Sequence, residues 1–206
     1  MHCLPTPHAM IFMNVLRNLK MPPAAIVGNF VFFQVLWFAA ILGAARGVVW
    51  PVLLVLAMLV GWALLCERNV RQEARMLVAG LLVGATAELI WLNAGVISYQ
   101  TAWSAHFAPI WILALWAGFA VSFNYSMGWL KGRPFIAAAF GGLGSAGSVV
   151  GGVRLGAAEA PEGLLLLAIC YGVLWSLIVP MLAWWAQRGE VAQTVEGRRH
   201  GSRSIA

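Results

Sequence analysis

The run MLVAGLLVGATAELIWLNAGVIS, Met76 to Ser98, decides the fold. A helix needs roughly 20 predominantly apolar residues to cross the hydrocarbon of a bilayer, and this run meets that length with Glu88 as its single ionisable side chain. Five further runs share its character, at 25–45, 48–66, 109–130, 136–155 and 163–186.

Composition agrees. Of 206 residues 62% are hydrophobic and 10% charged, with a mean hydropathy of +0.84. A soluble domain carries about a quarter charged residues. The fold class expected is therefore all-α, a polytopic membrane helix bundle of six transmembrane helices. The bundle takes residues 25–187, after a flexible N-terminal extension at 1–24 and before a basic, disordered tail at 188–206, GEVAQTVEGRRHGSRSIA being its polar core. No length remains for a second domain. The apolar patch Ala9–Leu16 has no small-residue cleavage site behind it, so a signal peptide is not expected, and Met13 or Met21 is as good a start as Met1.

A net charge of +6 without a single aspartate invites a nucleic-acid reading, but the positions of the cations argue against it. Alternate connections gather Arg17, Lys20, Arg68, Arg71, Arg75, Lys131, Arg133, Arg188, Arg198, Arg199 and Arg203 on one side. Of the 13 cations only Arg46 and Arg154 remain for the other. Cytoplasmic loops are enriched in Lys and Arg, which puts both termini in the cytoplasm. The basicity is thus spent on orientation, and no nucleic-acid partner is expected beyond the lipid bilayer itself.

Cys3, Cys66 and Cys170 fall at different depths, which disfavours a disulfide framework. His2, His8, His106 and His200 never share a helical i, i+3 or i+4 spacing, so neither a metal site nor a cofactor is expected. Trp50, Trp103 and Trp111 sit near one boundary and Trp129, Trp184 and Trp185 near the other, as aromatic belts do. Trp37, Trp91, Trp116 and Trp175 lie deeper, as packing groups or as the wall of a ligand pocket.

Helix five contains FGGLGSAGSVVGG (140–152), in which Gly142, Gly144 and Gly147 match a GxGxxG nucleotide fingerprint. That motif requires a preceding strand and a helix start facing water, and here it is inside an apolar span. The pairs Gly141/Ser145, Gly144/Ser148, Gly147/Gly151 and Gly152/Gly156 read instead as small-xxx-small packing, within the bundle or in a homo- or hetero-oligomer formed through helix five. Three helices on either side of the 98–108 loop also permit an inverted repeat, supported by the shared Leu36-Trp37 and Leu115-Trp116.

Glu88 carries the functional question. A charge at mid-membrane costs about 2.5 to 3.5 kcal/mol on insertion scales, and acids kept there are functional by default. Its helical face holds Leu81, Gly84, Ala85, Trp91, Leu92 and Gly95, so the acid is expected to enter the bundle through a close helix contact. Candidate binding partners are Gln34 on helix one, Ser122, Asn124 and Ser126 on helix four, and Asn93 and Trp91 beside it. A midplane hydrogen bond from Gln34 to Glu88 is the pairing favoured.

NFVFFQVLWFAAILGAARG (29–47), the acid after a small-residue run with Gly95 and Tyr99 following, PIWILALWAGFAVSFNYSMGWLKGRP (109–134) and RLGA (154–157) together resemble the domain of unknown function 2878 family. The resemblance covers 29–186. It implies a small bacterial multi-pass inner-membrane protein and no particular activity. The helix-three acid of that family is usually aspartate where this chain has Glu88, and helix five often carries tyrosine where it has Ser148-Val149-Val150.

Three roles follow, in falling order. The first is binding or transport of a small molecule, a lipid or a proton at Glu88, Gln34 and Asn124. Structural assembly through Gly141, Gly144, Gly147, Gly151 and Gly152 comes second. The third is lipid chemistry with Glu88 as general acid or base, for which no catalytic partner is evident in the sequence. Reporter fusions after Arg75, His106, Lys131 and Gly189 should read in, out, in and in. A cytoplasmic signal from His106 would overturn the six-span arrangement.

Overall fold

The computed structural model describes residues 23–66 and 70–203, with side chains as far as Gly189. The expected extension lies outside the described residues apart from Pro23 and Ala24, and so do Arg68 and the first two histidines. Among the described residues six α-helices follow one another: α1 Pro23–Ala45, α2 Trp50–Cys66, α3 Val70–Asn93, α4 Ile110–Ser122, α5 Pro134–Arg154 and α6 Leu164–Arg203. Proline opens α1 and α5, where its missing N–H costs nothing. Two-residue strands β1 (Ser98–Tyr99) and β2 (Ala158–Glu159) pair antiparallel, Ser98 opposite Glu159 and Tyr99 opposite Ala158.

Helices α1, α3, α5 and the Leu164–Gly189 part of α6 are long and apolar enough to cross a membrane. Helix α2 has 17 residues and α4 has 13. At 1.5 Å per residue α4 is only about 20 Å long. The sequence predicted a continuous helix to residue 130. Instead Phe123–Met127 forms turns leading into a 3₁₀ turn at Gly128–Leu130. The polar side chains there all reach other helices: Asn124 reaches α3, Tyr125 donates to the Ala63 carbonyl at 2.9 Å, and Ser126 donates to Asn29 Oδ1 at 2.6 Å.

Two further boundaries differ from the sequence reading. Arg71 and Arg75, assigned to a connection from the sequence, lie instead in the first turns of α3, with Gln72 and Glu73 between them buried. The helix ends at Asn93 because Gly95 adopts φ 71°, the left-handed conformation that closes helices. The C-terminal residues expected as a disordered tail continue α6 to Arg203.

Helices pack as antiparallel pairs α1/α2, α3/α4 and α5/α6, and α4 is central, touching α1, α2 and α3. Residues from separate helices mark each end of the bundle. At one, Gln72 Nε2 donates to the Ala186 carbonyl at 3.2 Å, and Gly189 sits against the Gln72 side chain. Arg71, Arg75, Lys131, Arg133 and Arg188 belong to this end. The β1/β2 ribbon marks the other end, together with Arg46, Arg154, Glu159 and Glu162. The perimeter is apolar, with Phe30, Leu54, Leu82, Leu143, Leu165 and Leu177 among its exposed side chains. A surface of that kind suits lipid, where an outward leucine loses nothing.

The helix-five glycines divide into two sets. A Cβ on Gly141 would meet the Trp175 carbonyl of α6, and one on Gly142 would come within 3.2 Å of the Gly172 carbonyl. Gly151 and Gly152 lie against Trp37 and Ile41 of α1 at 3.6 and 3.4 Å. Gly144 and Gly147, expected in the same packing seam, have nothing within 4 Å of a Cβ and are exposed. The seam turns away from α6 at these two positions. Gly141→Leu should therefore destabilise the protein by about 1 to 3 kcal/mol through overpacking, and Gly147→Leu should unfold near the wild-type temperature. Equal losses for the two in detergent thermal unfolding would contradict this division.

Candidate functional site

Glu88 lies near the ribbon end of α3, about a turn and a half before Asn93. It is 1% exposed. The expected midplane position was displaced because α3 begins and ends earlier than hydropathy alone suggests. Gly84, one turn before it, lets Trp116 of α4 lie directly on α3, since a Cβ at Gly84 would collide with the indole. In that position Trp116 Nε1–H donates to Glu88 Oε1 at 3.0 Å.

The second donor comes from the ribbon. Pairing with Ala158 fixes Tyr99, whose hydroxyl donates to Glu88 Oε2 at 2.5 Å and lies 3.0 Å from the Tyr171 hydroxyl of α6. Aromatic rings hold this chain on every side. Trp91 stacks on Tyr171 at 5.1 Å, Trp111 meets Tyr99 edge-on at 5.2 Å, and Trp116 stacks on Trp175 at 4.4 Å. Buried polar groups persist only when hydrogen-bonded, and both carboxyl oxygens of Glu88 have a donor.

Glu88, Tyr99, Tyr171, Trp116 and Trp175 line a cavity of about 710 Å³. Its other walls are α1, α4 and α5, including Gln34, Trp37, Gly144, Gly147 and Ser148. Small-molecule sites run to about 300–1,000 Å³ and are mostly apolar with a few placed polar groups, a description this cavity meets. Among the described residues no lysine or arginine lines it, and no cluster of His, Cys, Asp or Glu could hold a metal.

The polar residues named from sequence separate into several places. Gln34 is on the cavity wall but exposed, and does not bond Glu88. Trp91 joins the site through Tyr171. Asn124 is at the opposite end of α3, where its Nδ2 donates to Glu73 Oε1 at 2.9 Å and its Oδ1 faces Gln72 Nε2 at 3.4 Å. Fifteen residues of helix, about 22 Å, separate Glu73 from Glu88. Asn93 bonds its own helix and His106, Ser122 bonds the Gly118 carbonyl, and Ser126 lines the cavity while bonding Asn29. Tyr99 and Tyr171 are the partners that sequence reasoning missed. Tyr99 needed the ribbon to be foreseen, and Tyr171 needed the rotation of α6.

A family model described as "Protein of unknown function (DUF2878)" matches residues 26–181. No curated protein and no solved structure matches the chain.

Substitutions at Glu88 follow from the donor pattern. A glutamine can accept from Trp116 through Oε1 and donate to the Tyr99 oxygen through Nε2, leaving Tyr99 to donate to Tyr171. Glu88→Gln should keep stability to within about 1 kcal/mol. Glu88→Ala should lose about 2 to 4 kcal/mol, from the space vacated and two unsatisfied donors. Detergent unfolding temperatures check both, and an Ala variant as stable as the Gln variant would contradict the network.

Proposed function

Because the chain belongs to this family of proteins of unknown function, the site itself must supply the functional reading, and we propose that the protein is a multi-pass membrane protein that binds a small amphipathic molecule in the cavity beside Glu88. The observation that carries this reading is the union of an apolar chamber with one polar end built from Glu88, Tyr99 and Tyr171. The bacterial inner membrane, with both termini inside, is the setting proposed from the distribution of Arg and Lys.

The hydrogen-bond chain has two directions. With Glu88 ionised, Tyr171 donates to Tyr99 and Tyr99 to the carboxylate, and the Tyr171 oxygen can accept from a ligand. With Glu88 neutral, each bond reverses and Tyr171 donates outward. The polar end thus accommodates a ligand donor or acceptor by losing or gaining one proton at Glu88, with the tyrosine hydroxyls turning to suit. The same property suits a transport or proton-coupled role. Against an assembly role through α5 stands the engagement of Gly141, Gly142, Gly151 and Gly152 within the chain.

Native mass spectrometry from lipid nanodiscs tests the proposal. Wild-type protein should carry a bound small molecule, and Tyr171→Phe and Glu88→Ala should each reduce its occupancy at least tenfold. Undiminished occupancy in folded Glu88→Ala protein would exclude the site.

A further inference from the structure

Helices α1 and α5 run in the same direction and touch only along their second halves. Trp37 Nε1 donates to Ser148 Oγ at 2.8 Å, Ile41 meets Gly152, and Ala45 lies 3.8 Å from the Cβ position of Gly156. Toward their starts Phe30 and Gln34 on α1 and Phe140, Gly141 and Gly144 on α5 line the cavity, and nothing lies within 4 Å of a Cβ at Gly144. Phe30, Phe38, Trp129 and Phe140 are at once cavity-lining and exposed, so the chamber reaches the apolar perimeter of the bundle there.

Gln34 stands in this gap. It is halfway along a helix whose only other polar side chain, Asn29, is buried, and it is exposed and without a hydrogen bond among the described residues. Where a helix faces lipid, an unsatisfied carboxamide costs several kcal/mol, so such a group is kept where something polar passes or stays. The indole N–H groups of Trp111 and Trp175, both on the cavity wall, also have no partner among the described residues.

We infer that the gap between α1 and α5 is a lateral mouth through which a long-chain, uncharged amphiphile bearing a hydroxyl headgroup is taken from the bilayer. Its hydroxyl lies at Tyr171 and Glu88, and its chain runs out between Phe30, Phe38 and Phe140. This rests on the cavity-binding reading above and adds the source, headgroup and orientation of the ligand. Among the described residues no cation lines the cavity, which selects against carboxylate or phosphate heads, because a buried anion beside Glu88 would have no countercharge there. A hydroxyl suits both directions of the tyrosine chain, since it donates and accepts. Gly144 and Gly147 keep the mouth open, and Gln34 offers the headgroup a hydrogen bond on its way in.

The test uses two photoreactive hexadecanols in liposomes holding the full chain, one with a diazirine beside the hydroxyl and one with it at the chain terminus. Peptide mapping should find the first on α3 or α6 near Glu88 and Tyr171, and the second on α1 and α5 near Phe30, Phe38 and Phe140. Gly144→Leu fills open space and should fold normally while reducing both labels at least tenfold. Gly61→Leu, on α2 where a Cβ also meets nothing within 4 Å, should change neither label. A photoreactive palmitate should label at least tenfold less than the alcohols. Head-end labelling without tail-end labelling at α1 and α5 overturns the mouth while leaving the cavity reading intact. Absence of head-end labelling in wild-type protein overturns both. Loss of labelling at the mouth alongside chain-to-chain crosslinks through Phe30 or Phe140 would assign the gap to a second copy and overturn the inference.

Discussion

The buried carboxyl of Glu88 is the constraint on which the rest of the structure depends. An acid in an apolar interior must be given hydrogen-bond donors, and each donor must come from a different part of the chain for the group to be enclosed. Trp116 brings α4 against α3, an approach that Gly80 and Gly84 permit. Tyr99 requires the ribbon, which ties the α3–α4 connection to the α5–α6 connection. Tyr171 then fixes the rotation of α6, and α6 carries α5 with it. One side chain therefore determines how three hairpins meet, and the cavity is the volume left where α5 departs from α1.

Much of the architecture was legible in the sequence. The apolar runs marked the six described helices, of which four are long and apolar enough to cross a membrane, because lipid-facing and core-facing residues are equally apolar. Glu88 was identifiable as the only acid in its run. Helix ends were less visible, for the same reason. Hydropathy sees neither the turn imposed by Gly95 nor the first turns of α3, which are polar because Gln72 and Glu73 face Asn124 and Ala186 rather than water. Helix α4 was read too long because Asn124, Tyr125 and Ser126 take tertiary partners that no local pattern announces.

The site was half legible. Gln34 was singled out correctly as unusual and paired with the wrong group, since two polar residues at similar apparent depth need not face each other. The expected Gln34, Glu88 and Asn124 cluster dissolves into a wall residue, a chamber end and a separate node with Glu73. Deep tryptophans were weighed as packing against pocket wall, and the structure shows that the two roles coincide. Trp37, Trp116 and Trp175 pack against neighbours while lining the chamber. A two-residue ribbon is below the length at which strand patterning can be read, so Tyr99 had no signal as a donor.

The spacing of the Glu88 partners also bears on how the chain is made. Tyr99 follows the acid by 11 residues and Trp116 by 28, whereas Tyr171 is 72 beyond Tyr99. Ribosomes add about 5–20 residues per second, so both direct donors emerge within about 1 to 6 s of Glu88 itself. Trp116 can reach the acid within the α3–α4 hairpin while α5 and α6 are still unmade, whereas Tyr99 is fixed only when Ala158 completes the ribbon. One carboxyl oxygen thereby gains its donor early in biogenesis, and the last hairpin completes the enclosure by bringing the ribbon strand and Tyr171.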